Sequence, residues 1–433
     1  MKKSFFWLLV VFTAAILVVG CAPATPTAAP TEEATEEAAT EEATEEAATE
    51  EATEEAMGMP AECETDEFGC AVIEPGTTIK IGYAGPMTGD YAAFGQDISQ
   101  GGLLAIEDFG EFEGFQFEMP IQDTQGAPEG GAAVANLYVS DPSVVAIHGH
   151  TFSGSTEAAI PIYEDAGLPM LSPSATNPTL TQMGSRVFNR IAFTDSVQGQ
   201  NAAAYLYNVL GARTLAVIHD GSAYGQGLAE VVRDEFTALG GEVTDFIAIT
   251  PGETDYSAAL AGLAAKAPEA IFFGGYYAEA AVLANQKAAA GLGDAIFFSD
   301  DGTYGTSFIE LTGANAEGTY ATSLIPPSSP AREEFDAKYE ATYGVAPGIL
   351  SAFTWNGYDC VAALISVIKE TAILGDDGNL YIPRGALVEN VRGLEGYEGL
   401  SGTITCDETG ECNTAGPIFY VVQDGEWVEA PSE

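Results

Sequence analysis

The stretch "GHTFSGSTEAA", residues 149 to 159, follows the apolar run "SVVAI" and leads into residues that read as a helix. Ser153, Gly154, Ser155 and Thr156 therefore sit where a strand ends and a helix begins. The first turn of a helix leaves backbone N–H groups unpaired and carries partial positive charge. With the neighbouring hydroxyls, those groups can hold a single carboxylate without any basic side chain. N-capping of the helix is the plainer use of the same hydroxyls.

Catalysis has little to work with elsewhere in the chain. Asp300 and Asp301 are adjacent, and adjacent side chains usually diverge, whereas the paired carboxylates of a glycosidase flank a substrate at about 5–10 Å. Asp300 reads as a solvated turn carboxylate. No GxSxG elbow surrounds Ser153, and His150 precedes it closely in the chain instead of facing it across a cleft. "YGQGLAE" lacks the third glycine of a dinucleotide fingerprint, and no P-loop is present. With no CxxC and only His148, His150 and His219, zinc is not expected. The chain reads as a binder, not an enzyme, without cofactor or metal.

The elements that position these residues alternate regularly. From residue 77, "TIKIGYAG", "VVAIHG" and "LPMLSP" are interleaved with helical stretches, and a second series follows in "TLAVIHD", "EVTDFIAIT", "EAIFFGG" and "AIFFSD". Such alternation implies parallel sheets covered by helices on both faces, and two series imply two α/β lobes. After the Pro-rich "IPPSSP" come long helical stretches, and then an antiparallel-looking pair, "GTITCDETGEC" and "PIFYVVQDGEW". Ligands of open parallel sheets bind beyond the carboxyl ends of strands, and in two-lobed proteins between the lobes. The loops to watch are thus 84 to 97, 149 to 156, 172 to 181, 219 to 227, 274 to 279 and 299 to 306.

The N-terminal region sets the environment. Lys2 and Lys3 precede an apolar stretch from Phe5 to Val19, then "VVGC" ending at Cys21. That is an export signal, too short for a comfortable membrane span. "VVGC" resembles a bacterial lipobox, which implies a lipoprotein signal peptide over 1–20 and lipid acylation of Cys21. The chain is then held extracytoplasmically at the outer face of the membrane. Residues 31 to 56 repeat Thr, Glu and Ala with nothing apolar to bury, so 21–60 reads as a solvated, disordered acidic tether. With 64 acidic against 14 basic residues and a formal charge of −50, nucleic acid and anionic membrane surfaces are excluded as partners, since both need clustered cations. Cys63 with Cys70 and Cys406 with Cys412 each bracket a short loop and read as local disulfides. Cys360 falls in an apolar helical run as a buried thiol.

Six motifs now stand in order: "GYAGPMTGDYAAFGQDISQGGLLAIEDF", "GHTFSGST", "LPMLSPSATNPTLT", "IHDGSAYGQGLAE", "FFGGYYAEAA" and "FFSDDGTYG". Together they resemble the leucine/isoleucine/valine-binding protein family, the periplasmic receptors of branched-chain amino acid ABC transporters, over nearly all of the chain from residue 77. The resemblance implies a type I periplasmic binding fold: two Rossmann-like lobes, 77–193 with 326–399 and 194–325 with 400–430, joined by three hinge crossings near 193, 325 and 400. It implies that Ser153, Thr176 and Tyr224 grip a ligand α-carboxylate, and that Ser174, Thr176 and Asp301 receive its ammonium. Phe94, Phe152, Tyr276 and Phe353 would meet the ligand side chain, although aromatic residues mostly pack cores. Asp301 stands where leucine-binding members usually carry Glu, and Phe94 where a Tyr is common. The implied partners are an amino acid and ABC permease subunits, with the receptor a monomer. A short amide, urea or another amino acid, or a sensing lipoprotein, are the other readings.

Overall fold

The computed structural model describes residues 59–412 and 416–431. The export signal over 1–20, Cys21 and nearly all of the acidic tether lie outside the described residues. Among the described residues no helix is long and apolar enough to cross a membrane.

Parallel strands cannot be joined by a tight turn, so each apolar run of the first series is followed by a crossover, mostly helical. The first sheet runs Glu111–Phe112, Phe115–Glu118, Thr78–Gly85, Val144–Gly149, Met170–Ser172, Phe188–Arg190, with Ile121–Asp123 also on Thr78–Gly85. Its pairings are parallel except the one between Glu111–Phe112 and Phe115–Glu118. Every residue of Val144–Gly149 is buried, which explains why that strand reads as an unbroken apolar run.

The second sheet runs Glu242–Ala248, Thr214–His219, Ala270–Gly274, Ile296–Phe298, Tyr320–Ser323, Ile418–Gln423, Glu426–Glu429. Its first five strands are parallel and the last two antiparallel. Phe272, Phe273, Phe297 and Phe298 are fully buried at its centre, each contributing about 1.5–3 kcal/mol of apolar burial. Both sheets direct the carboxyl ends of their strands at the same gap, the loops 150–152 and 173–178 facing 220–222, 275–276 and 299–305.

The late helices belong with the first sheet. Thr354–Thr371 lies so close along Ala92–Phe109 that a Cβ on Gly101 would stand 2.3 Å from the Thr354 carbonyl oxygen, and one on Gly357 2.5 Å from that of Ile98. Tyr339 of the helix Pro330–Tyr343 reaches across to Gln100 at 2.8 Å. Cys360 is a buried free thiol, and Cys63–Cys70 and Cys406–Cys412 are disulfides.

Two segments depart from the sequence reading. "GTITCDETGEC" and "PIFYVVQDGEW" do not pair with each other. Ile418–Gln423 lies between Tyr320–Ser323 and Glu426–Glu429, while Thr403–Ile404 pairs with Tyr397–Glu398. The disulfide loop instead docks on the first sheet, where the Arg190 N–H donates to the Gly410 carbonyl and the Cys412 N–H to that of Arg190, both at 2.9 Å. Residues 400 to 412 therefore sit with the first sheet and not, as expected, with the second. The short spacing of the cysteines suggested a hairpin turn, but pairing partners more than 200 residues away decided the outcome. The second departure is at the start of the body. Cys70–Ile73 pairs with Leu380–Pro383, which also pairs with Ile373–Leu374, and the Asp66 carboxylate accepts from the N–H groups of Gly385 and Ala386. Residues 61–73, assigned to no element from sequence, are thus stitched to the late helices.

Candidate ligand-binding site

The helix Ser153–Ala166 begins directly after Val144–Gly149, with Phe152 in extended conformation ahead of it and no side chain capping its end. The Ser155 and Thr156 hydroxyls both donate to the Phe152 carbonyl at 2.9 Å. Ser153 is different: its Oγ accepts the Asn177 N–H at 3.3 Å, which leaves its own proton free. The N–H groups of Ser153, Gly154 and Ser155 have no acceptor among the described hydrogen bonds. This end of the gap is a cluster of unused donors.

The loop 173–178 lies against it. Its carbonyls are almost all engaged: Pro173 accepts from Asn356 Nδ2 at 3.2 Å, Ala175 and Asn177 from Arg190 Nη1 at 3.0 and 2.7 Å, and Thr176 from the Asp195 N–H at 2.9 Å. The Ser174 carbonyl has no donor among the described hydrogen bonds, whereas its hydroxyl donates to Thr151. The Arg190 guanidinium that fixes this loop is buried and takes Glu411 through Nε at 2.8 Å and through Nη2. Its charge is therefore matched before any ligand arrives.

The facing wall comes from the second sheet. Asp301 follows Ile296–Phe298, and its Oδ1 accepts from Tyr224 at 2.8 Å and from Gln198 Nε2. Its Oδ2 has no donor among the described hydrogen bonds. Burial raises the Asp301 carboxyl above the usual carboxylate range, and the bonds from Tyr224 and Gln198 pull it back part of the way. Asp300, expected in solvent, is instead fully buried. The turn after the strand carries its Oδ2 to the Gly275 N–H at 2.9 Å. Burial, and then the charge on Asp301, push its carboxyl up.

Aromatic rings close the sides. Phe152 stacks on Tyr276 with centroids 4.2 Å apart, and Phe94 meets both edge-on at 5.5 and 5.9 Å. Phe353 lies 6.5 Å from Phe94. These four rings, with Thr151, Ser153 and Ser174 on one side and Tyr224, Asp301 and Gly302 on the other, bound a gap that leaves a cavity of only about 10 Å³. Among the described residues no Lys or Arg lines it. That volume is room for roughly one water molecule, so the two walls nearly touch and a ligand needs the gap to widen.

Two of the expected residues stand differently. Thr176 does not line the cavity; its hydroxyl is enclosed and unpartnered, beside the Asp195 carboxyl. Tyr224 lines it, but its single O–H proton goes to Asp301 and its oxygen accepts from Gly302 at 3.3 Å. In this arrangement the hydroxyl serves the acidic end and not a ligand carboxylate. Sequence reasoning also passed over Tyr91, which packs 5.0 Å from Tyr276 and 5.8 Å from Phe152 and donates to the Glu279 carboxylate at 3.1 Å. It lies in the first motif, three residues before Phe94, where its aromatic character was the available signal. Gln198 and Arg190 were missed as well, and neither offers a local cue.

A family model described as periplasmic binding protein matches residues 78–426. The Leu/Ile/Val-binding protein of Escherichia coli K12 is 31% identical over 301 residues, which cover 68% of this chain and 80% of the relative. A leucine-, isoleucine-, valine-, threonine- and alanine-binding protein of Pseudomonas aeruginosa is 36% identical over 57% of this chain, the match spanning 66% of that protein's length. Among solved structures, a leucine binding protein from Thermotoga maritima superposes with a TM-score of 0.74 at 30% identity, covering 82% of this chain and 98% of the other. A branched-chain amino acid substrate binding protein from Streptococcus pneumoniae, in complex with isoleucine, gives 0.72 at 28% identity, covering 81% and 98%. With the matched region running through both sheets and their shared gap, the chain belongs to the periplasmic binding protein family, in the branch that contains the Leu/Ile/Val-binding proteins.

Proposed function

We propose that this protein captures an amino acid, of the branched-chain class, between its lobes and delivers it to an ABC importer. The supporting observation is polarity without cations: unused N–H and O–H donors at Ser153, with the free Ser174 carbonyl on the same wall, face an unpaired Asp301 oxygen across a gap lined by aromatic rings. A zwitterion matches that pattern. Its carboxylate would take the Ser153 hydroxyl and the helix N–H groups, and its ammonium Asp301 and the Ser174 carbonyl. Phe94, Phe152, Tyr276 and Phe353, now packed on one another, would close on a short apolar side chain once the gap has widened to admit it. Charge-assisted hydrogen bonds contribute about 1.5–3 kcal/mol each. Four of them offset association costs well enough for roughly micromolar binding, about −8 kcal/mol.

The lobes in this reading are 77–193 with 326–412 and 194–325 with 416–430, and the strands between them act as hinges. The rings of Phe152 and Tyr276 come from opposite lobes, so opening the gap separates them. Acylated Cys21 would anchor a monomeric receptor outside the cell membrane through the acidic tether.

A thermal-shift screen of the purified protein against amino acids and small neutral amides tests the reading. A ligand at 1 mM with micromolar affinity should stabilise the fold by about 4 kcal/mol. Leucine, isoleucine or valine should give the largest shift; a shift with neutral amides alone would overturn the assignment. Ser153→Ala should weaken amino-acid binding by more than about 1 kcal/mol, because a ligand oxygen loses its donor. Calorimetry giving the wild-type dissociation constant for this variant would move the ligand elsewhere.

A further inference from the structure

The walls of the gap nearly touch, so nothing held between them leaves until they part. Bonds that cross the gap outside the cavity therefore govern release. One group of these lies beside the aromatic rings. Tyr91 directly precedes the helix Ala92–Phe109, which packs with the first sheet, and its hydroxyl donates to the Glu279 carboxylate with both oxygens at 3.1 Å. Glu279 belongs to the helix Tyr277–Lys287, which follows Ala270–Gly274 of the second sheet. In the reverse direction, the Tyr277 hydroxyl donates to the Asp90 carbonyl. Neither Tyr91 nor Glu279 lines the ligand cavity.

The two halves of the Tyr91–Glu279 bond are held independently. Glu279 is buried, and its Oε1 also accepts the Gly252 N–H at 3.0 Å, from the loop after Glu242–Ala248. That contact stays on the second sheet's side of the gap. Tyr91 is placed by its ring, whose centroid is 5.8 Å from that of Phe152 and 5.0 Å from that of Tyr276. A carboxylate removed from water with a single N–H partner is costly, and the Tyr91 proton offsets that cost while the gap is shut. Once the gap opens, water takes over the same service.

We propose that Tyr91 and Glu279 form a latch between the lobes: positioning residues that prolong the closed form and slow ligand release without touching the ligand. The bond joins two protein groups, so its effect falls on the open–closed balance and through that on affinity. Its charged acceptor gives it a signature. Removing the Tyr91 hydroxyl leaves the shut gap with an under-served carboxylate, whereas the open form loses nothing. The choice of leucine as the probe rests on the amino-acid reading above, and one arm of the experiment needs no ligand.

Leucine exchange with the full protein is followed by stopped-flow fluorescence, and affinity by calorimetry. Tyr91→Phe keeps the ring and removes the hydroxyl. Dissociation should become about tenfold faster and affinity should fall by about the same factor, with association no slower. In a Glu279→Gln background the same change should cost less than about threefold, because a neutral acceptor is stranded more cheaply than a carboxylate. Wild-type release from Tyr91→Phe overturns the latch. So does a loss of affinity carried by slower association, which marks a damaged site, and so does an equal loss in both backgrounds. Small-angle X-ray scattering supplies the ligand-independent arm: Tyr91→Phe should enlarge the radius of gyration of the protein without leucine, and an unchanged radius overturns the proposal. A wild type that binds no amino acid removes the functional reading, and scattering alone then decides the latch.

Discussion

Asp301→Ala is expected to cost amino-acid binding about 3–5 kcal/mol, a loss of roughly 100- to 5,000-fold, because it strands a desolvated ammonium without its counter-charge. The magnitude follows from where Asp301 sits. It is buried, it is held through Oδ1 by Tyr224 and Gln198, and only Oδ2 remains for a ligand. Rigid support of this kind means that no neighbour can swing in to replace it. Asp300 is adjacent in sequence but is turned to the Gly275 N–H on the far side. A neutral amide with the same carbon skeleton gains little from Asp301, so its affinity should change by less than about tenfold. Calorimetry with both ligand types decides the matter: equal losses would remove the ammonium from this end of the cavity.

The placement of Ser153, Ser174, Tyr276 and Asp301 on one cavity was legible because each lies in a loop following a parallel strand, and that geometry converges such loops whatever their sequence. Strand and helix alternation fixed the two sheets for the same reason. What escaped was long-range pairing. Nothing local to "CDETGEC" shows that it docks on Phe188–Arg190, since the decisive partners are Arg190 and Glu411, 221 residues apart. The burial of Asp300 escaped for a related reason, because the acceptor's donor sits at the end of a neighbouring strand, in Gly275. Tyr224 was legible as a site residue but not in its role. A phenol has one proton to donate, and the acid that receives it arrives from residue 301.

Ser153, Ser155 and Thr156 look equivalent in sequence, yet two of them donate back to the Phe152 carbonyl and only Ser153 is kept free by accepting from Asn177. Helical geometry decides which is which. A hydroxyl in a helix's first turn either reaches the preceding carbonyl or points outward, and the loop 173–178 supplies the contact that holds Ser153 outward.

That loop is the reason to expect a large effect from a residue outside the cavity. Arg190→Met removes the guanidinium that holds the Ala175 and Asn177 carbonyls and the Glu411 carboxylate. Breaking a buried ion pair costs about 3–5 kcal/mol. Here the lower figure applies, since Glu411 keeps 21% of its side chain in solvent whereas Arg190 keeps none. About 3 kcal/mol should lower the melting temperature by roughly 4 °C in a chain of this size. Binding should fall as well, because the Ser174 carbonyl is positioned by the same clamp. Arg190→Met combined with Glu411→Leu should recover much of the stability, as no carboxylate is then left unpaired, but not the affinity. Melting curves and leucine titrations on both variants separate the two effects. A single variant that melts within a degree of wild type would show that the clamp contributes nothing to holding the loop, and that Ser174 and Thr176 owe their positions to other contacts.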